Sequence, residues 1–223
     1  MIKGVIFDLD GTLLDTLEDI HNVVNRVLRM NDLPVKNIPE VKAAVGRGVT
    51  ELVLRLFPSG ELSTQRVFKV ASDIRETFLL HGTVLTKPYR GIEDMLDTLA
   101  RRGIPLAVLT NKPQASAEKA VSVYLPDVPF RTVQGVTPGM PMKPEAEIAM
   151  KVILKLGSAP GETLMVGDSD VDMDTAKNAD LIAVGVSWGF RSVELLLEHG
   201  ADVIVNDPME ICDLIFRSDN NLN

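Results

Sequence analysis

Acidic residues form two short clusters, and each cluster directly follows an apolar run. Asp8 and Asp10 end the first run and precede Gly11-Thr12. The second cluster spans 167–172, reads Gly-Asp-Ser-Asp-Val-Asp, and follows Leu164–Val166. Carboxylate oxygens are ligands for a hard cation such as Mg²⁺, and a neighbouring carboxylate can carry a proton. These residue types and spacings therefore suit a site that handles a cation and a proton together.

Hydrogen-bond donors occupy two further positions of the same kind. Thr110 and Asn111 follow the apolar run Leu106–Leu109, and Lys143 precedes a helical pattern after a loop rich in glycine and proline. Taken singly, each would be an ordinary turn residue or a solvated lysine. Taken with the two acidic clusters, they supply the positioning and charge neutralisation on which phosphoryl transfer depends.

Alternating strands and helices are predicted to position these side chains. Such alternation after Pro88 indicates a parallel sheet with helices on both faces. The predicted strands are Ile2–Asp8, Pro105–Leu109, Thr132–Gln134, Thr163–Val166, Leu181–Val186 and Val203–Val205. Ligands of an open α/β sheet bind beyond the carboxyl ends of its strands, and the candidate residues follow those ends.

The segment between the first strand and the others contains helical patterns and no strong strand. It predicts an α-helical cap inserted into the sheet domain. The expected fold class is therefore α/β, with a doubly wound, Rossmann-like parallel sheet. We predict that residues 1–15 and 86–223 form this core domain and that residues 16–85 form the cap domain.

Charge and composition exclude several classes of protein. Lys and Arg number 23 against 31 Asp and Glu, a net charge of −8, which disfavours a nucleic-acid partner. The apolar runs are far shorter than the ~20 residues of a membrane span, and no signal peptide is visible. The single cysteine, Cys212, excludes an internal disulfide. We expect a cytoplasmic protein without a membrane partner.

The four motifs, in this order, resemble those of the haloacid dehalogenase superfamily of phosphatases. Asp8–Thr12, Thr110, Lys143 and Gly167–Asp172 match its first to fourth motifs and span nearly the whole chain. Thr110–Pro113 and Val45–Gly48 are similar to the phosphoglycolate-phosphatase-like branch. One departure is Asp180, a turn position where that branch usually has glycine.

The resemblance implies a role for each matching residue. Asp8 would be the nucleophile and Asp10 the proton donor and acceptor. Thr110, Asn111 and the backbone amides near Gly11 would bind the phosphoryl oxygens, and Lys143 would neutralise charge. Mg²⁺ would be held by Asp8, Asp168, Asp172 and the Asp10 carbonyl, with Asp172 either holding a metal-bound water or orienting Lys143.

Other positions and functions are less determined. Arg47, between two glycines of the cap, is either a ligand for a substrate carboxylate or a solvated loop residue, and Asp170 is expected to face solvent or cap a helix. The leading function is a Mg²⁺-dependent phosphatase of a small phosphate ester, with phosphoglycolate favoured. A sugar-phosphate mutase similar to β-phosphoglucomutase, a pyrophosphatase and a non-enzymatic phospho-acceptor module stay open. The resemblance allows a monomer or a homodimer.

Overall fold

A computed structural model describes residues 1–58 and 60–220, so the predicted core range 86–223 runs three residues beyond the described chain. Its strands are β1 (Gly4–Phe7), β2 (Leu14–Asp15), β3 (Lys87–Pro88), β4 (Leu106–Pro113), β5 (Phe130–Val136), β6 (Thr163–Gly167), β7 (Ile182–Val186) and β8 (Val203–Val205). Six of them form one sheet in the order β5-β4-β1-β6-β7-β8. Every pairing in that sheet is parallel, which confirms the predicted α/β class.

Helices cover both faces of this sheet because its strands are apolar on both sides. Val5 and Phe7 of β1 point into one hydrophobic cluster, whereas Ile6 between them points into another. This alternation follows from the two-residue period of a strand. The flanking helices are α5 (Ile92–Arg101), α6 (Gln114–Tyr124), α7 (Ala146–Leu156), α8 (Asp170–Asn178), α9 (Val193–Glu198) and α10 (Met209–Asn220).

Four helices between β2 and β3 pack around a hydrophobic cluster of their own. They are α1 (Leu17–Met30), α2 (Ile38–Ala44), α3 (Val49–Leu56) and α4 (Thr64–His81). Val24, Val53 and Val70 are among the buried residues of that cluster. We call these four helices and their connecting loops the cap helices. The exact division of the chain into two domains stays a prediction.

An antiparallel ribbon and one buried carboxylate connect the cap helices to the sheet. Leu14 pairs with Pro88, and Asp15 pairs with Lys87. Asp19, in the first turn of α1, accepts hydrogen bonds from the backbone N–H groups of 84–86. The chain segments that enter and leave the cap helices are therefore joined to each other.

Several element ends differ from the sequence prediction. β4 continues to Pro113 through a register shift between Leu109 and Pro113, so Thr110 and Asn111 lie within the irregular end of the strand. The turn after α8 places Asp180 at φ 54°, the left-handed region that favours glycine, which agrees with the predicted turn. Among the described residues, no helix is both long enough and apolar enough to cross a membrane.

Candidate active site

Three neighbouring strands bring the predicted residues to one edge of the sheet. Phe7 is in register with Val108 of β4 and Val166 of β6. The Asp8 amide continues this pairing and donates to the Val166 carbonyl at 2.9 Å. Parallel strands end at the same edge, and so the motifs at the carboxyl ends of β1, β4 and β6 meet there.

Lys143 lies between two buried carboxylates. Its Nζ is 2.8 Å from Asp8 Oδ1 and 2.5 Å from Asp172 Oδ1. Burial raises the pKa of Asp8 to about 7, although the Lys143 ammonium opposes that rise. Burial alone would lower the pKa of Lys143, but the two carboxylates raise it above its ordinary value. The two carboxylates therefore favour the charged form of Lys143 beside Asp8.

Asp172 also receives hydrogen bonds through its second oxygen. Asp172 Oδ2 accepts from the Ser169 hydroxyl at 2.6 Å and from the Ser169 amide at 3.1 Å. This arrangement is the capping box at the N-terminus of α8. The contact with Lys143 agrees with the predicted orienting role of Asp172, and its predicted role in holding a metal-bound water stays a prediction.

Asp168 completes an acidic cluster that suits a cation. Its carboxylate accepts from Thr12 Oγ1 at 3.1 Å and from the Phe190 amide at 2.7 Å. Burial, and then the nearby Asp172 and Asp8 carboxylates, raise the pKa of Asp168 to about 8. One oxygen from each of these three acids lies within 4.8 Å of the others. An all-oxygen set with this spacing suits Mg²⁺.

Gly11 keeps space for this cluster. Its φ is 89°, and a Cβ at this position would overlap the Asp168 carboxylate. A Cβ on Gly189 would likewise overlap the Asp168 side chain. Both positions therefore require glycine for steric reasons, and Gly11 also requires it for its backbone conformation.

Asp10 has a basic partner that the sequence prediction did not identify. Lys112 Nζ contacts Asp10 Oδ1 at 2.7 Å and Oδ2 at 2.9 Å, and the lysine side chain is 4% exposed. Lys112 belongs to the Thr110–Pro113 motif, where it received no role. The available signal was its position beside Thr110 and Asn111.

Thr110 and Asn111 are buried at the same edge but differ in how many hydrogen bonds their side chains make. Thr110 Oγ1 accepts from the Lys112 amide at 3.3 Å, which leaves its hydroxyl hydrogen for a ligand. The Asn111 side chain donates to the carbonyls of Gly46 and Lys143 and accepts from the Lys143 amide. These bonds fix Lys143 and the cap loop, whereas the predicted contact of Asn111 with a phosphoryl group stays a prediction.

The cap helices cover the site with a mainly apolar wall. The cavity at the strand ends is lined on this side by Ile20, Val24, Val49, Leu52, Ile74 and Phe78, and also by Arg75. Arg47 Nη2 pairs with Asp170 Oδ2 at 2.6 Å. The prediction that Asp170 faces solvent or caps a helix is therefore corrected: its side chain is 16% exposed and is paired with Arg47 of the cap loop. Contact of Arg47 with a substrate stays a prediction.

The chain is similar to known phosphatases over nearly its whole length. A family model described as haloacid dehalogenase-like hydrolase matches residues 5–186. An N-acetylmuramic acid 6-phosphate phosphatase from Pseudomonas aeruginosa is 29% identical, with 97% of this chain and 96% of that protein covered. A phosphoglycolate phosphatase from Chromobacterium violaceum is 33% identical, with 96% of each chain covered.

A solved structure agrees with these sequence relatives. The crystal structure of a protein described as a predicted phosphoglycolate phosphatase from Haemophilus somnus superimposes with a TM-score of 0.86 at 25% identity, with 96% of this chain and 97% of that chain covered. The comparisons confirm the resemblance inferred from the four motifs and the prediction of an enzyme that hydrolyses phosphoric monoesters.

Proposed function

The chain belongs to the haloacid dehalogenase-like hydrolase family, and we propose that it is a Mg²⁺-dependent phosphatase of a small organic phosphomonoester that works through an aspartyl-phosphate on Asp8. One observation carries the proposal. Asp8 lies 2.8 Å from the buried Lys143 ammonium, at a cavity that also contains Asp10 and is covered by the cap helices. A carboxylate nucleophile, a proton carrier and a fixed cation thus share one enclosed space.

The acidic cluster fits the metal that this chemistry needs. Asp8 and Asp168 would hold Mg²⁺ through carboxylate oxygens, with the Asp10 carbonyl and Asp172 as the further predicted ligands. When bound, the ion neutralises negative charge between these acids and an incoming phosphoryl group. Burial, and then the neighbouring carboxylates, raises the pKa of both Asp8 and Asp168.

The reaction proceeds in two displacements at phosphorus. A carboxylate oxygen of Asp8 attacks phosphorus, the bond from phosphorus to the ester oxygen breaks, and that oxygen takes a proton from Asp10. Water then attacks the same phosphorus and gives its proton to Asp10, and the bond from Asp8 to phosphorus breaks. Lys143 stabilises the charge that develops on the phosphoryl oxygens, and Thr110 donates a hydrogen bond to one of them.

The cavity supports a small substrate with a second polar or anionic group. Arg75 is the basic residue on the apolar cap wall, where its Nη2 contacts Thr50 Oγ1 at 3.1 Å. A carboxylate of a bound ester would meet that guanidinium. Phosphoglycolate has this chemistry, and relatives that cover almost the whole chain are named phosphoglycolate phosphatases. We therefore favour phosphoglycolate among small phosphomonoesters.

Steady-state phosphate release tests the proposal. The panel comprises phosphoglycolate, hexose phosphates, nucleotides, pyrophosphate and p-nitrophenyl phosphate, each with Mg²⁺ and with EDTA. We expect release that EDTA and Asp8→Asn abolish, whereas Asp174→Asn, whose carboxylate pairs with His199, retains it. Absence of release from every ester would contradict the proposal. Isomerisation of a hexose phosphate without release would instead identify a mutase, and selective pyrophosphate hydrolysis a pyrophosphatase.

A further inference from the structure

Lys112 occupies the boundary between the core carboxylate and the cap helices. Its Nζ contacts both oxygens of Asp10, and the same nitrogen lies 4.1 Å from the centroid of the Phe78 ring. Phe78 belongs to α4 and to the hydrophobic cluster of the cap helices. One ammonium group thus bridges the proposed proton carrier and the cap.

The local backbone explains why Lys112 points to this position. It lies in the irregular end of β4, where the register with β5 shifts between Leu109 and Pro113. Such an irregularity redirects side chains from the pattern of a regular strand. Gly135 of β5 permits the close approach, because a Cβ there would lie 2.7 Å from the Lys112 carbonyl oxygen.

Both contacts of the Lys112 ammonium are shielded from water. Lys112 is 7% exposed and Phe78 is 8% exposed, so water does not replace either partner of the ammonium. A cation held over an aromatic face in a desolvated place is worth more than one at the surface. Movement of α4 away from the strand ends would remove the ring and hydrate the ammonium.

We propose that Lys112 is a positioning residue that sets the Asp10 carboxylate for proton transfer and couples its placement to the cap through Phe78. The inference rests on the proposed function, because it assigns Lys112 to the step in which Asp10 protonates the ester oxygen. Lys112 acts through Asp10, and its charge is needed for that step rather than for metal binding.

The dependence on leaving group distinguishes this role from a purely structural one. An alkyl ester leaves as a strongly basic alkoxide and requires a proton from Asp10. The p-nitrophenyl ester leaves as a weakly basic phenolate and requires little protonation. Misplacement of Asp10 therefore lowers kcat/KM, which reports the first displacement, selectively for the alkyl ester. Damage to the fold, to Asp8 or to the metal site lowers kcat/KM for both esters alike.

The test compares kcat/KM for the best alkyl phosphate of the panel with kcat/KM for p-nitrophenyl phosphate, since hydrolysis of the shared aspartyl-phosphate contributes to kcat but not to kcat/KM. Lys112→Met keeps a long apolar side chain and removes the charge, and we expect an alkyl-ester loss about 10- to 100-fold larger than the aryl-ester loss. Lys112→Arg should recover part of the difference. Phe78→Leu should cause a smaller selective loss that disappears in the Lys112→Met background, since the ring acts through the ammonium.

A second cation-and-ring pair provides the matched control. Lys36 Nζ lies 4.7 Å from the Phe57 centroid within the cap helices. Lys36→Met and Phe57→Leu should change stability without changing the ratio of the two kcat/KM values. Circular dichroism and the Mg²⁺ dissociation constant of each variant show whether the fold and the metal site persist.

The outcomes separate failure of this inference from failure of the proposed function. If wild-type protein hydrolyses the esters and Asp8→Asn does not, the proposed function stands. Equal losses of kcat/KM on both esters in folded, Mg²⁺-binding Lys112→Met would then overturn the role of Lys112. Independent losses from Lys112→Met and Phe78→Leu would also overturn it. No ester hydrolysis by wild-type protein would overturn the proposed function itself.

Discussion

Asp19→Asn is expected to destabilise the protein because one buried carboxylate joins the cap helices to the returning chain. Asp19 is 3% exposed. Its Oδ2 accepts from the Thr86 hydroxyl at 2.7 Å and from the Thr86 amide at 2.8 Å. The amides of Val84 and Leu85 complete the set. An asparagine at this position keeps one acceptor oxygen and presents an N–H group to donors.

The structure sets the size of the expected loss of stability. Hydrogen bonds to a charged acceptor contribute about 1.5–3 kcal/mol each. Thr86 is buried, whereas Val84 and Leu85 are exposed, so we expect a loss of about 2–4 kcal/mol at pH 7, mainly from the two Thr86 bonds.

The pH dependence has a definite sign. Burial acts to raise the pKa of Asp19, but the hydrogen bonds from Thr86, Val84 and Leu85 lower it below its ordinary value. The stabilisation by Asp19 is therefore complete above the unfolded-state pKa of about 3.9 and is lost as the pH falls through the lower folded-state pKa. The difference between wild type and Asp19→Asn should narrow below about pH 4.

Urea unfolding followed by the fluorescence of Trp188, the single tryptophan, measures this difference at neutral and acidic pH. Asp97→Asn is the control, because Asp97 is 53% exposed and pairs with Arg101 on the helix surface. We expect that change to cost less than about 0.5 kcal/mol. An Asp19→Asn effect of similar size at pH 7, or one that grows as the pH falls, would refute the reasoning.

Three further predictions concern the site. Lys143→Met leaves the buried carboxylates of Asp8 and Asp172 without their cation. Urea unfolding should therefore show a free energy of unfolding lower by about 3–5 kcal/mol, and an unchanged midpoint would contradict this. Gly11→Ala pushes a methyl group against Asp168, so calorimetry should show Mg²⁺ binding at least about tenfold weaker; equal affinity would contradict the steric argument. Mg²⁺ should raise the Tm of the wild-type protein and EDTA should reverse the rise, whereas Asp168→Asn should show no rise.

Matched controls exist for the first two of these changes. Lys151 forms an exposed pair with Glu147 on α7, so Lys151→Met should leave stability nearly unchanged. A Cβ on Gly161 would meet no atom within 4 Å, so Gly161→Ala should leave Mg²⁺ affinity unchanged. A loss in either control equal to that in its partner would indicate a general effect of substitution.

The sequence was sufficient to predict the sheet because burial on both faces leaves an apolar signature. Five residues of β6 are all buried, and the apolar run that predicts this strand follows from that burial. The end of β4 was not predicted. Its last residues, Thr110–Pro113, are polar or proline, yet tertiary pairing with β5 extends the strand through them.

The sequence was sufficient to predict those site residues that are chemically suited to the reaction and directly follow a predicted strand. Asp8, Asp10 and Asp168 follow apolar runs, and their meeting follows from parallel topology alone. Lys112 was missed because a lysine is ordinarily a surface residue, and the sequence does not show that this one is buried against Asp10. The pair of Arg47 and Asp170 was missed for a related reason, since it depends on how the cap loop meets α8.

Trapping the phosphorylated enzyme tests the central claim most directly. Rapid acid quench during turnover of a radiolabelled phosphomonoester with Mg²⁺, followed by peptide mapping and borohydride cleavage of the acyl phosphate, locates the phosphoryl group. The account predicts label on Asp8, in amounts that rise and fall with turnover, and none in Asp8→Asn. Turnover with label on another residue, or with no covalent label at any time, would contradict it.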